Sequence, residues 1–321
     1  MATHKGVFGP HNPDETYITH DFPERLADLG EVQMNYATVG DESKPALLLI
    51  PGQTESWWGY EKALPLLAKH YNGFAVDLRG QGRSSRTPGR YTLDNMGNDL
   101  VRFIRLVIGR PTFVSGLSSG GVLSAWLSAY AEPGQVIGAH YEDPPLFASE
   151  AEPATGQGMR QGVGAMFRLW STYLGDQWSI GDWDGMVAAA PDILPAWMRA
   201  IASPPTSPPQ NLKEYDPEWG RAFWTGAVAA SCDHERMLRS VKCPVLMTHH
   251  FRRVDENGYL LGAISDIQAR RVVELVGGAG QRIDYQSFPA MGHSMHGQDP
   301  ALFANTLVAW AQTLPPEANG K

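Results

Sequence analysis

Between residues 31 and 138, short apolar runs of strand length alternate with stretches whose apolar positions recur at helical spacing. Residues 31–39, 46–50, 73–76, 112–114 and 136–141 read as strands, and residues 60–69, 93–107 and 122–130 as helices. That alternation predicts an α/β fold, with a mostly parallel central sheet covered by helices on both faces. From about Leu146 the β-branched runs give way to Gly, Ala, Trp and Met, and a turn-rich stretch follows at 203–209, so helices joined by irregular loops are expected there. The βα rhythm returns with a strand at 243–249, a helix near 266–276, a strand at 282–287 and a last amphipathic helix at 300–314. The expected organisation is a loose arm at 1–15, a core from 16–145 and 241–321, and a helical insertion at 146–240.

Composition narrows the class. A chain of 321 residues can bury a large core. It carries 26 Lys and Arg against 34 Asp and Glu, a net charge of -8 without long runs of one sign, which argues against a nucleic-acid partner. Charged residues are only 19% and hydrophobic ones 43%, with 10 Trp, so a folded, aromatic-rich globule is expected rather than a disordered chain. Cys232 and Cys243 are too few for a disulfide framework or a four-thiolate zinc site, although one bridge stays open. The first twenty residues lack the apolar core of a signal peptide and contain acids, so a cytoplasmic location is expected. Residues 111–131 are uncharged over a membrane-spanning length, but five Ser and three Gly favour a buried strand, turn and helix. No membrane partner is expected.

Candidate chemistry starts at Gly116-Leu-Ser118-Ser-Gly120, between an apolar strand and a helix. A G-x-S-x-G stretch in that context forms a sharp turn that projects the Ser118 hydroxyl, whereas Ser119 has the wrong glycine spacing. A serine needs a base, and the segment Met291-Gly-His293-Ser-Met-His296 follows the last strand, where a loop histidine can reach back over the sheet. His293 is the expected base and His296 the runner-up; as a metal pair they lack a third ligand, so neither metal nor cofactor is expected.

These motifs, with Asp77-Leu-Arg-Gly-Gln-Gly-Arg-Ser84 and Asp299-Pro300 after the histidine, resemble the α/β-hydrolase fold from about Phe22 to Leu314. The resemblance implies a helical lid between the sixth strand and the next core helix. Ser118 at the nucleophile position sets the chain apart from the dehalogenase and epoxide hydrolase branches, which use Asp there. The common family position for the triad acid, after the seventh strand, is occupied by Leu261, which cannot orient an imidazole. Asp255 and Asp266 in the later loop stay open as further alternatives, although Asp255 also reads as a solvated turn and Asp266 as a helix N-cap. Glu142 and Asp143 end the sixth strand beside the turn, and Glu142 is the preferred acid with Asp143 as alternative. The family further implies an oxyanion hole from the backbone amides of Ser119 and Gln53, with Gly52 retained and Pro51 replacing the usual His.

Pro51, Glu142 and the segments Ser56-Trp-Trp58, 175–183 and 215–224 resemble bacterial zearalenone lactonases, a group whose acid is a Glu after the sixth strand. That resemblance implies a serine hydrolase whose small-molecule partner is a bulky macrocyclic lactone, zearalenone, opened at its ester bond. Trp178, Trp183, Trp197, Trp219 and Trp224 could line an apolar pocket, with Trp219 and Trp183 preferred and Gly52 on the substrate side. His249 and His250 are expected to be structural, and a homodimer is left open. The same side chains would also serve a carbon-carbon bond hydrolase, a general carboxylesterase or a slow ligand receptor of this fold.

Overall fold

The computed structural model describes residues 17–175, 181–196, 198 and 208–315. An eight-stranded sheet runs in the order β1 (Glu24–Asp28), β2 (Gln33–Val39), β4 (Asn72–Val76), β3 (Ala46–Ile50), β5 (Thr112–Leu117), β6 (Val136–Glu142), β7 (Val245–His249), β10 (Ile283–Ser287). β2 is antiparallel to β1 and β4, and every other pairing is parallel. The central strands are buried along nearly their whole length because both faces are covered. Alternation then divides each strand: Leu47 and Leu49 join one apolar cluster, Leu48 and Ile50 the other. The first face packs against residues 57–67 and α9 (Pro300–Gln312); the second packs against α1 (Leu93–Phe103), α2 (Ser119–Tyr130) and α7 (Asp266–Gly278).

Local signals set the helix starts. Thr92 caps α1 by accepting from the Asn95 amide at 3.1 Å, and Ser265 caps α7 in a reciprocal box with Gln268. Pro300 takes the first position of α9, where its missing N–H costs nothing, and Asp299 accepts from the Leu302 amide. The uncharged 111–131 stretch is β5 and α2, and α2 is buried nearly all round because it lies between the sheet and other helices. Among the described residues no helix is long and apolar enough to cross a membrane. Cys232 and Cys243 are buried, free thiols, so the open bridge is not made.

Between β6 and β7 the described helices include α3 (Gly164–Tyr173), α4 (Trp183–Ile193) and α5 (Glu218–Thr225), after which α6 (His234–Leu238) leads back to the sheet. Phe167 and Phe223 stack at 5.4 Å between α3 and α5, and Trp219 stacks on Phe223 in turn. The arm at 1–15, Trp178, Trp197 and residues 203–207 lie outside the described residues. Two strand features have no counterpart in the sequence expectation. One is the edge strand β1. The other is a hairpin of β8 (Arg252–Val254) and β9 (Leu260–Gly262), whose turn is fastened by Asp255 Oδ1 accepting from the amides of Asn257 and Tyr259.

Candidate active site

The turn from β5 into α2 places Ser118 at φ 55° and ψ -122°, a backbone conformation that costs energy for any residue with a Cβ. The glycines around it are required by contact: a Cβ on Gly116 would lie 2.1 Å from the Gly120 carbonyl oxygen, and one on Gly120 would lie 2.3 Å from that of Ile50. The Ser118 amide donates to the Glu142 carbonyl at 2.9 Å, fastening the turn to the end of β6.

Beyond β6 the chain turns at Asp143, whose φ is 41°. Its buried carboxylate accepts from His293 Nδ1 at 2.7 Å through one oxygen and from the His250 amide at 3.0 Å through the other. The first bond fixes the Nδ1–H tautomer, so Nε2 of His293 is left as the basic nitrogen. The His293 side chain is 49% exposed, and it lines one cavity with Ser118 and Asp143. Partial removal from water beside the cavity pushes its pKa down, but the Asp143 hydrogen bond and charge outweigh that and raise it above the usual histidine value.

Glu142, expected on His293, is instead the partner of His296. Adjacent strand residues face opposite ways, and Glu142 points to the α9 side of the sheet with His140. It accepts from His296 Nδ1 at 2.9 Å and from the amides of Met295 and His296 at the start of α8 (Met295–Gln298). The acid in contact with the candidate base is therefore Asp143, the alternative.

A buried chain of hydrogen bonds backs the histidine loop. Because the His293 carbonyl can only accept, His250 Nδ1–H donates to it at 2.9 Å, and His250 Nε2 accepts from the Thr248 hydroxyl at 3.0 Å. Thr248 oxygen then accepts from His140 Nε2–H, and His140 Nδ1 accepts from Ser115. Burial lowers the His140 pKa to about 4, in keeping with a neutral link. His249 is held by Ile264 and Tyr285.

The loop after β3 is equally fixed. Gln81 Nε2 donates to the Gly52 carbonyl, and Glu55 Oε2 accepts the Gly52 amide at 3.2 Å. Gln53 and Ser119 both line the cavity beside Ser118, and a Cβ on Gly52 would sit 3.3 Å from that of Ser118. The turn after β4 is organised by buried Asp77, which accepts from the Trp57 and Arg83 amides and from Asn35. Desolvation raises the Asp77 pKa to about 7.

The cavity measures about 380 Å³ and is mainly apolar, with Met159, Met166, Phe167, Trp170, Met198 and Phe223 from the chain between β6 and β7. Phe251, Leu260 and Leu261 close another side from the hairpin region. Among the described residues no group of three His, Cys, Asp or Glu side chains could hold a metal ion.

Residues 47–306 match the family model described as the alpha/beta hydrolase family. The chain belongs to that family. Its curated relatives include 3-oxoadipate enol-lactonase 2 of Acinetobacter baylyi, 33% identical over 31% of this chain and 38% of that protein. Fluoroacetate dehalogenase of a Burkholderia species is 33% identical over 31% of this chain and 34% of its own. These matches span little more than a third of either relative. Among solved structures, the enol-lactonase from Burkholderia xenovorans LB400 superposes with a TM-score of 0.65 at 17% identity, covering 90% of this chain and all (100%) of that one. E-2-(Acetamidomethylene)succinate hydrolase gives 0.60 at 16% identity over 91% of this chain and 100% of its own, so both establish the shared alpha/beta hydrolase fold.

Within this hydrolase scaffold the expected aromatic contacts need correction. Trp219 is fully buried, its indole N–H donating to the Arg79 carbonyl at 2.7 Å, and Trp183 is buried in the helical layer. Neither lines the cavity, and nor does Trp224, which packs under Arg168. Trp170 lines it instead, with methionines and phenylalanines that no motif singles out. Leu261, at the position expected of an acid, forms part of the apolar wall.

Proposed function

We propose that this alpha/beta hydrolase is a serine esterase that opens a bulky lactone, with zearalenone as the first substrate to test. The observation that carries the reading is Ser118 on a strained turn, sharing an apolar cavity with a histidine whose Nδ1 is held by a buried aspartate. In this reading Ser118 Oγ attacks the ester carbonyl as His293 Nε2 takes its proton, and Asp143 stabilises the imidazolium. The Gln53 and Ser119 amides receive the oxyanion. Collapse of the tetrahedral intermediate breaks the acyl–oxygen bond, and His293 returns the proton to the departing alkoxide. In a lactone that alcohol stays tethered to the acyl group, so the cavity must hold the whole opened chain until water, activated by His293, releases the acid. The cavity size and apolar wall suit such a substrate. The resemblance to zearalenone lactonases and the partial match to an enol-lactonase support a lactone, and the former implies that the ring-opened acid can lose carbon dioxide. The chain between β6 and β7 acts as the lid in this scheme.

Hydrolysis in oxygen-labelled water tests it. Label is expected in the nascent carboxyl group, or in released carbon dioxide, and not in the alcohol. Label in the alcohol would reject the acyl-enzyme. Failure to consume zearalenone by enzyme that cleaves an aryl ester would reject the substrate alone.

A further inference from the structure

His296 occupies a position that the esterase scheme leaves unused. Its ring is fully buried, stacks on Tyr60 at 3.9 Å between centroids, and meets Phe303 edge-on. Nδ1 donates to Glu142 at 2.9 Å. On the other side Nε2 lies 3.8 Å from Glu55 Oε2 and 3.3 Å from Ser294 Oγ. That same Glu55 oxygen accepts the Gly52 amide at 3.2 Å, one residue before the expected oxyanion donor Gln53. One imidazole thus joins the end of the acid-bearing strand, the histidine loop and the oxyanion loop.

We propose that His296 is a positioning residue whose cationic form braces Glu55, and through it the Gly52–Gln53 loop, against the acid-bearing strand. With Nδ1–H committed to Glu142, the second proton resides on Nε2. Its loss turns a lone pair toward the Glu55 carboxylate and removes the attraction that orders it. The charged and titratable groups facing the ring are Glu142 and His140 from β6, Glu55 from the loop after β3, and His293 from its own loop; Tyr60 is stacked with its hydroxyl bonded to the Ile50 carbonyl. Burial opposes the cation, and Glu142 and Glu55 together outweigh it, raising the pKa above the ordinary histidine value. Glu55 and Glu142 also favour positive charge on His293, so the brace leaves a net negative field where the catalytic imidazolium would form. The proposal rests on the Ser118 esterase reading.

The test is the pH profile of kcat and KM on a p-nitrophenyl ester, for wild type, His296→Gln and Glu55→Gln, with fluorophosphonate labelling of Ser118 and thermal melting on each. Wild type is expected to give a bell, its acid limb from His293 and its alkaline limb from His296. Folded, labelled His296→Gln is expected to lose about tenfold in kcat at unchanged KM, below the 10² to 10³ cost of deleting an oxyanion donor. Its alkaline limb should vanish. Glu55→Gln keeps an acceptor for the Gly52 amide but removes the charge, and it should also lose the alkaline limb. Should His296→Gln fail to fold, Glu55→Gln decides, because that side chain is partly exposed. An alkaline limb that persists in the folded variants overturns the proposal, as does a wild type without one. Wild type that resists the fluorophosphonate would fail the Ser118 reading itself, and the brace would fall with it.

Discussion

His293, on the loop after β10, and His296, in the short helix α8 that the loop leads into, stand three residues apart, and each gives Nδ1 to a carboxylate at the end of β6. The carboxylates are sequence neighbours, yet the two pairs have opposite surroundings. The His293 ring lines the cavity, and its aspartate is held by one backbone amide on the far oxygen. The His296 ring is sealed between Tyr60 and Phe303, and Glu142 collects two amides at a helix start besides the imidazole. The difference teaches that an acid–histidine pair is a reagent only where one ring nitrogen is left free for substrate. Sealed on both sides, the same pair is a brace.

The largest expected effect separates the two pairs by activity. Asp143→Asn should lower kcat by about 10⁴, since an amide permits the wrong tautomer, whereas Glu142→Gln should cost about tenfold; steady-state kinetics on an aryl ester reads both. Equal losses would erase the distinction. Stability should rank them in reverse. Removing the Glu142 charge leaves buried His296 only the more distant Glu55, 3.8 Å away, and urea unfolding should show a loss of about 3 kcal/mol. Asp143→Asn should lose less, its histidine having access to the cavity.

The pH dependence of unfolding sharpens the same contrast. Glu142 is held at about 2, as histidine charges and hydrogen bonds overcome its desolvation, so its contribution is present above its ordinary 4.5 and is lost as pH falls toward about 2. His296 is raised, so its contribution is full below 6.5 and is lost as pH rises through its folded value. Stability from this pair should therefore crest between about 4.5 and 6.5, and the crest should disappear in Glu142→Gln. The smallest effect concerns the cavity side alone. Trp170→Ala should raise KM for a bulky lactone by about tenfold and leave a small aryl ester nearly unaffected, because only the large substrate uses that wall. Trp219→Ala should instead lower the melting temperature and affect both substrates alike.

Much of this was legible from residue order. The alternation of apolar runs implied the parallel sheet, and the glycine spacing around Ser118 implied a turn that only those glycines permit. The acid was not legible, because Glu142 and Asp143 are adjacent and a strand end that turns at a positive φ decides which one reaches the loop. The hairpin was missed for a compositional reason: Asp, Glu, Asn and Gly at 255–258 describe its turn, and its two strands have only three residues each. Tryptophan pattern announced burial without saying against what, so Trp219 was expected at substrate and instead fastens α5 to the turn after β4.

The hairpin carries a consequence for how such a catalyst could diversify. In the proposed scheme the carboxylate comes from the end of β6, so the hairpin itself supplies no catalytic group, and Leu260 and Leu261 shape the wall. Gln157 straps it in place by donating to the Gly258 carbonyl and accepting the Leu260 amide. In that scheme, grafts of different length and bulk between Val254 and Gly262 are expected to retune which molecules enter while leaving Ser118, His293 and Asp143 in place.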